Sequence, residues 1–240
     1  LRADIASYNF AQLGIKNIET VSGDSILYLQ QLEDDVCDTI LIDPARRDES
    51  RKVVALEDCD PNLIEIQHLL LKKAKNVCIK CSPAMDFNAL KERLLNLKAF
   101  IVVSVLGECK EILAILSRDF VGEIEVMAVM IDSRNEKIES IQKHEKSYYQ
   151  KAEVFKILRY LYEPDAAIIK ARLSAKLAHH FEVAFINKNV DYLTSDKCLD
   201  NFPGRSFEIL DVLPYQQKTL KNFLKMNRIE KANVARREFP

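Results

Sequence analysis

The sequence predicts an α/β domain with a parallel sheet, followed by a small α+β domain. In the first part of the chain, short apolar strands alternate with amphipathic helices, the order that is typical of βαβ units. From residue 147 onward, helices and strands mix without that regularity. The charge also changes, from a net −7 over residues 1–145 to a net +6 over residues 146–240. We therefore predict two domains, 1–145 and 146–240.

The elements of the first domain follow from the spacing of its apolar residues. An apolar stripe indicates a first helix, which Gly14 ends, and Leu63, Ile66 and Leu70 give a later helix its apolar face. Segments of four to eight apolar residues between turn signals indicate buried strands. The predicted helices are 2–13, 25–32, 61–75 and 87–97, and the predicted strands are 18–21, 39–42, 76–79, 100–106 and 124–131. Residues 111–116 fit either a helix or a strand, and the polar segment 132–147 is interpreted as a linker.

The second domain is predicted from weaker signals. An aromatic-rich segment, 147–162, is interpreted as a helix that Glu163-Pro164 ends, and 165–179 as a second helix. Asn187-Lys188-Asn189 marks a turn between short strands. The predicted strands are 181–186, 192–194, 206–212 and 229–235, and the last predicted helix is 215–226. Its lysines could face nucleic-acid phosphates, or they could form only the solvated face of an amphipathic helix.

Composition excludes several classes of protein. The chain is 48% hydrophobic and 30% charged, and no window approaches the roughly 20 apolar residues of a membrane helix. Its six cysteines are scattered, which predicts a reduced, cytoplasmic protein. The pair Cys78-x-x-Cys81 lacks a second pair at zinc-finger spacing, so we expect no metal. The first residue is Leu1, and we expect both ends to be cut from a longer protein.

The most informative stretch is TILIDPARR, residues 39–47, in which a buried strand ends in Asp43-Pro44. In open α/β sheets, ligands bind outside the carboxyl ends of the strands. Gly23-Asp24 and Lys80-Cys81 also follow predicted strands, so the three pairs should lie along one edge of the sheet. Asp43-Pro44 could instead only begin a helix, because Asp is a good N-cap and Pro fits the first helical position.

These residues carry a resemblance to a known family. The order helix, Gly-Asp, helix, strand, DPxR is similar to the second half of the class I S-adenosylmethionine-dependent methyltransferase fold, which is Rossmann-like. The whole chain resembles bacterial RNA methyltransferases with a THUMP-like C-terminal domain. The stretches that carry this resemblance are IDPARRD, IKCSPAMD, VLGECKEIL, LYEPDAAIIKA, NFPGRSFEI and IEKANVARREFP. It implies that the N-terminal part of the sheet is missing and that the second domain is ferredoxin-like or THUMP-like and incomplete.

The resemblance also implies roles around S-adenosylmethionine. Gly23 and Asp24 would bind the cofactor, with Asp24 accepting a hydrogen bond from the adenine amino group, although Asp24 could be only a helix N-cap. Asp43 and Pro44 would lie near the transferred methyl, where a side-chain oxygen and a backbone carbonyl orient a target amine. The family's glycine-rich loop and the acid that binds the ribose would lie upstream of Leu1.

Candidate substrate contacts are basic. Arg46 and Arg47 could pair with RNA phosphates or form ordinary surface salt bridges. The other candidates are Lys80, Arg205, Arg236 and Arg237. Cys81 loosely resembles the nucleophile of uracil C5 methyltransferases, with Lys80 as a cation that could stabilise its thiolate, but the flanking residues differ and favour a structural role.

We therefore predict an S-adenosylmethionine-dependent methyltransferase that acts on RNA. One alternative is a non-catalytic RNA-binding or scaffold protein on a methyltransferase fold. Another is a methyltransferase that acts on protein or on a small molecule. The sequence does not indicate the methylated base or the oligomeric state.

Overall fold

The computed structural model describes residues 2–46, 56–132, 134, 137–154, 156–214 and 216–235. Two main sheets account for most of its strands. The helices are α1 (Arg2–Gln12), α2 (Ser25–Gln31), α3 (Leu63–Lys73), α4 (Phe87–Arg93), α5 (Ala166–Lys170), α6 (Ser174–Phe181) and α7 (Gln217–Met226). The strands are β1 (Cys37–Ile42), β2 (Ala45–Arg46), β3 (Cys59–Asp60), β4 (Ala74–Cys81), β5 (Leu97–Val105), β6 (Glu108–Ser117), β7 (Glu125–Asp132), β8 (Lys137–His144), β9 (Tyr160–Pro164), β10 (Ala184–Phe185), β11 (Leu193–Ser195) and β12 (Gly204–Glu208).

The central sheet has six strands in the order β1-β4-β6-β5-β7-β8. Strands β1 and β4 are parallel, β5 and β7 are parallel, and β6 runs antiparallel to both of its neighbours. It follows that β1, β4, β5 and β7 all point the same way, so their carboxyl ends lie along one edge. The sheet is thus mixed rather than purely parallel, and the undecided segment 111–116 belongs to strand β6.

The core lies on the inner strands. Phe100, Val102, Ile112 and Leu116 are fully buried, and the ring of Phe87 meets that of Phe100 edge to face with centroids 5.0 Å apart. Val102 lies opposite Ile112 in the ladder, and Phe100 and Leu116 are at even spacing from them, so these four side chains share one face of the sheet. This explains why the apolar segments 76–79 and 100–106 were predicted correctly as strands.

Two predicted elements of the first domain are wrong. The segment 132–147, interpreted as a linker, contains β8, which pairs along its whole length with β7. As an edge strand it buries little and is therefore polar, which hid it from a search for apolar segments. Residues 18–21 form no strand. A strand needs a backbone partner, and the described residues place none beside this segment.

The first 41 residues carry an unusual number of exposed apolar side chains. Neither α1 nor α2 has a buried residue, and Ile5, Tyr8, Leu27 and Leu41 are among the exposed apolar side chains. Within the part of the chain that the structure describes, β1 pairs only with β4 and leaves its other edge open.

The second sheet has the order β10-β11-β9-β12, with all neighbours antiparallel. Strand β9, one of its two inner strands, begins at Tyr160 inside the segment predicted as the helix 147–162, and the described residues of that segment form no helix, so the prediction is wrong. Tyr160 and Tyr162 alternate with smaller side chains, and the Tyr162 ring is fully buried, which is a strand pattern rather than a helical one. The described residues between 145 and 159 belong to no helix or named strand.

The predicted helix 165–179 is divided into α5 and α6, because Arg172 between them adopts a left-handed conformation with φ of 56°. Helix α5 packs on β5 and β7 of the central sheet. Its N-cap, Asp165, accepts hydrogen bonds from the Ala167 amide at 2.8 Å and from the Ser104 hydroxyl at 2.6 Å. The two sheets are thus held against each other by a buried polar contact.

The elements predicted for the last part of the chain are confirmed only in part. Helix α7 is confirmed within the predicted range 215–226. Residues 229–235, predicted as a strand, form none. Strand β12 begins at Gly204, earlier than predicted, and pairs with β9. The domain boundary between residues 145 and 146 stays a prediction.

Candidate active site

Asp43 and Pro44 follow the last residue of β1 without beginning a helix. The next residues form β2, which pairs with β3 through Ala45 opposite Asp60. The alternative that this pair only starts a helix is therefore wrong. The backbone turns directly from the end of a sheet strand into a small hairpin-like pair, which keeps Asp43 at the carboxyl edge of the sheet.

A pocket of about 190 Å³ lies at this edge, between the ends of β1 and β4 and the start of β6. Four predicted residues line it together: Asp43, Pro44, Lys80 and Cys81. They meet because β1 and β4 are adjacent and parallel, with Ile42 opposite Ile79. Two of the three expected strand ends therefore converge. The other lining residues are Cys59, Leu63, Ser82, Pro83, Met85, Lys110 and Glu111.

The polar centre of this pocket is an ion pair between Lys80 and Asp43. Their Nζ and Oδ2 atoms are 2.8 Å apart, and Glu111 lies 3.9 Å from the same ammonium. The hydrogen bond to Asp43 and then its charge raise the pKa of Lys80, with Glu111 adding to the effect. Asp43 is 62% exposed, so the pair is accessible and contributes little stability. A ligand can therefore displace it at modest cost.

Cys81 lies on the other face of β4 from Lys80, since the burial of this strand alternates. Its thiol is buried, and its Sγ lies 3.7 Å from the Ile79 carbonyl oxygen. Burial raises the pKa of Cys81 to about 12, and the neighbouring Cys59 and Cys78 act in the same direction. A thiol nucleophile needs the opposite shift. The structure therefore favours the structural interpretation of Cys81.

Gly23 and Asp24 do not line this pocket. Asp24 is the N-cap of α2, and its Oδ1 accepts hydrogen bonds from the amides of Ile26 at 2.8 Å and Leu27 at 3.0 Å. Asp24 therefore caps a helix, which was the alternative to its proposed contact with the cofactor. The cofactor role of Gly23 and Asp24 stays a prediction.

Arg205 lies at a second place, in a cleft of about 690 Å³ between the ends of β5 and β7 and the second sheet. Its guanidinium pairs with the buried carboxylate of Glu163 on β9. Gly204 precedes it, where the chain passes so close to β9 that a side chain would overlap the Glu163 carbonyl. Arg205 is therefore held away from Asp43 and contributes to a different surface.

The remaining basic candidates lie at the limits of the structure. Arg46 belongs to β2, but its side chain is not described, and Arg47, Arg236 and Arg237 lie outside the described residues. Their substrate-binding role stays a prediction.

Lys110 and Glu111 complete the pocket from β6; the sequence suggests that the group Glu108-Cys109-Lys110-Glu111 could line this cleft but assigns the group no role. The signal was present, because a strand at 108–117 that runs antiparallel beside β4 must bring its first residues to the carboxyl end of β4. Among the described residues, no cluster of His, Cys, Asp or Glu could hold a metal ion. No helix in the same part of the chain is long and apolar enough to cross a membrane.

The mixed sheet with Asp43-Pro44 at its carboxyl edge places this chain in the class of α/β proteins to which methyltransferases belong. The structure is similar to the crystal structure of a "putative methyltransferase" from Porphyromonas gingivalis W83, with a TM-score of 0.75 and 25% sequence identity. The match covers 93% of this chain and 56% of that one, so this chain spans little more than half of its relative.

Two family models match the C-terminal part. Residues 160–203 match a ferredoxin-like domain and residues 204–240 match a THUMP domain-like family. No curated protein matches the chain. The resemblance to a methyltransferase with a THUMP-like C-terminal domain is confirmed, as is the α/β fold followed by a small second unit.

Proposed function

We propose that the whole protein transfers a methyl group from S-adenosylmethionine to RNA. The observation that carries this proposal is the position of Asp43-Pro44. The pair ends a strand at the ligand-binding edge of a sheet similar to that of a methyltransferase, and it lines a pocket with Lys80.

The pocket fits only part of the cofactor. Ligand sites for molecules of this size occupy roughly 300–1,000 Å³, whereas the pocket at Asp43 has about 190 Å³. Asp43 and Pro44 would lie beside the end that carries the methyl group, and Gly23 and Asp24 would contact the adenosine end. When bound, S-adenosylmethionine supplies an electrophilic methyl group on a sulfonium. The remaining contacts would have to come from residues outside this pocket.

The residues at the pocket can orient an acceptor. The Asp43 carboxylate and the Pro44 carbonyl oxygen can accept hydrogen bonds from a target amine, which fixes the direction of its lone pair. Lys80 occupies one carboxylate oxygen of Asp43, and Glu111 offers this ammonium a second carboxylate. The acceptor amine would compete with Lys80, and Lys80 would then move toward Glu111. Positioning of this kind is a large part of what a methyl transfer requires.

RNA is proposed as the substrate because of the C-terminal part. The chain resembles RNA methyltransferases that carry a THUMP-like C-terminal domain, and residues 204–240 match a THUMP domain-like family. Helix α7 presents Lys218, Lys221 and Lys225 and has no buried residue. Cations spaced along an exposed helix suit a phosphate backbone.

A non-catalytic RNA-binding protein is the second candidate, and the small volume of the pocket favours it. The two candidates differ in the role of Asp43. We expect Asp43→Ala to abolish methyl transfer from labelled S-adenosylmethionine to RNA while RNA affinity stays nearly unchanged. The matched control is Asp119→Asn, an exposed acid beyond β6 at the opposite edge of the sheet. Undiminished transfer by the Asp43 variant would refute the assignment, and absence of transfer by the unmodified whole protein would favour the second candidate.

The protein is also proposed to act in the cytoplasm. All six cysteines are free thiols in the structure, which supports a reducing compartment without identifying it.

A further inference from the structure

Three basic side chains that the candidate site does not use lie together where β8 meets the turn between α5 and α6. Lys143 on β8 donates from Nζ to the Ser147 carbonyl oxygen at 3.5 Å. Lys176 in α6 donates to the carbonyl oxygen of Gln142, the residue before Lys143. Arg172 lies in the turn that leads into α6. The two lysines are thus held against the same short segment of β8.

The ring of Tyr149 borders one of these cations, and a second ring packs against it. The Lys176 ammonium lies 5.9 Å from the centre of the Tyr149 ring, and that ring meets the His179 ring at a centroid distance of 5.7 Å. Tyr148, the preceding residue, is 86% exposed. Cations that alternate with accessible aromatic faces are typical of surfaces that bind single-stranded nucleic acid.

The positive charge of this cluster is only partly balanced within the protein. Burial, then the charge of Arg172 and that of Lys176, lower the pKa of Lys143, against the opposite effect of Glu145. Glu145 itself pairs with Lys91, and Asp86 lies 2.9 Å from Arg172. The carboxylates of Glu145 and Asp86 therefore face the four cations of Lys91, Lys143, Arg172 and Lys176. An anionic ligand would relieve this repulsion.

One contact connects the cluster to a segment that lines the candidate active site. Asp86, the partner of Arg172, is the N-cap of α4 and follows Met85, which lines the pocket at Asp43. Strand β8 and strand β1, which Asp43 follows, are the two outermost strands of the sheet and therefore lie roughly 24 Å apart. A polynucleotide held on the cluster would have to extend across the sheet to bring a nucleotide to Asp43.

We propose that Lys143, Arg172 and Lys176, with Tyr149 beside them, bind the phosphate backbone of the RNA substrate. This inference rests on the proposed function and names the surface on which the substrate lies. RNA fits better than an acidic protein segment, because the aromatic rings beside the cations offer stacking surfaces for bases.

The test measures the affinity of a fluorescein-labelled 20-nucleotide RNA for the protein by anisotropy between 50 and 300 mM salt, in designed steps of about 50 mM. The double variant Lys143→Gln/Lys176→Gln removes two cations. Each lost phosphate contact on a single strand lowers the salt slope by about 0.7, which corresponds to a roughly 14-fold weaker affinity for two contacts at about 0.15 M salt. Lys75→Gln is the matched control, since Lys75 is exposed near the start of β4, four strands away from β8 in the sheet order. A charge-preserving Lys143→Arg/Lys176→Arg variant should retain the affinity.

Each outcome decides between the possibilities. A weaker affinity and a smaller slope in the Gln variant alone support the proposal. Equal affinity in the Gln variant and the Lys75 control overturns it, while RNA methylation by the same preparation would show that the proposed function still holds. Equal loss in the Gln and Arg variants overturns it as well, since it would reflect damaged packing rather than lost charge. Binding to polyglutamate but not to RNA would overturn it in favour of an acidic protein partner.

Discussion

Cys81 gives the most direct test of the chemistry at the candidate site. If methyl transfer used a thiol nucleophile, Cys81→Ala would abolish it. The structure predicts instead that the variant retains methyl transfer within about threefold, at a stability cost of about 1 kcal/mol for the small cavity left behind. The physical reason is the buried position of the thiol, which raises its pKa from the ordinary 9.0 to about 12.

The magnitude follows from the thiolate fraction. At about pH 7.5, a thiol of pKa 9 is roughly 3% ionised, whereas a thiol of pKa 12 is ionised roughly once in thirty thousand. The ratio is about a thousandfold. A more basic thiolate is more nucleophilic, which reduces the expected difference in alkylation rate to roughly fiftyfold. Limited access to the buried sulfur adds to this protection.

The assay is timed alkylation of the folded protein with iodoacetamide, read peptide by peptide by mass spectrometry. Cys198 is exposed and serves as the internal reference. We expect Cys81 to react at least fiftyfold more slowly than Cys198, and its rate to rise with pH well beyond pH 9. Rapid alkylation of Cys81 near pH 7.5, or a loss of transfer of more than a hundredfold in Cys81→Ala with the fold intact, would refute the reasoning.

Two further predictions concern stability. Gly204→Ala would place a Cβ against the Glu163 carbonyl, so we expect the free energy of unfolding to fall by about 3 kcal/mol or more and the melting temperature to fall by about 6–12 °C. In the control Gly122→Ala the Cβ meets only the movable Phe120 ring, so the melting temperature should change little. Equal effects of the two substitutions would contradict the prediction. Asp34 accepts a hydrogen bond from Lys73 at 2.9 Å, which lowers its pKa below 3.8, so its stabilising effect exists above that value and is lost as the pH falls. In urea titrations, the free energy of unfolding of Asp34→Asn should therefore fall less between pH 7 and pH 3 than that of the unmodified protein. An equal fall in the two proteins would contradict this account.

Buried strands were the part of the fold that the sequence could predict. The segments at 76–79 and 100–106 are apolar because they lie inside the central sheet, so composition alone indicates them. The apolar segment 39–42 was also predicted correctly as a strand, although β1 is an outer strand and Leu41 is exposed. The strands that escaped prediction lie at edges or in the second sheet. Strand β8 is polar because one side of it faces solvent, and β9 was obscured by aromatic residues that also fit a helix. Edge strands depend on their partner, which local sequence does not specify.

The candidate site was predictable as far as parallel strands fix positions. Asp43 and Lys80 end adjacent strands, so their meeting follows from topology. Glu111 could be expected near the same cleft, but its contact with Lys80 could not be predicted, because residues 111–116 fitted either a helix or a strand. The side of the strand on which Cys81 lies was also missed, since it depends on which face of β4 packs inward. Alternation along the strand then separates Cys81 from Lys80.

The central claim is that the protein uses S-adenosylmethionine, and the binding of its product tests this most directly. Calorimetric titration of S-adenosylhomocysteine into the whole protein, with residues 1–240 titrated alongside, is the decisive measurement. We predict a dissociation constant on the order of a micromolar for the whole protein. For residues 1–240 alone we predict binding at least about tenfold weaker, since the pocket at Asp43 fits only part of the ligand. Absence of binding to the whole protein at about 1 mM ligand would contradict the account.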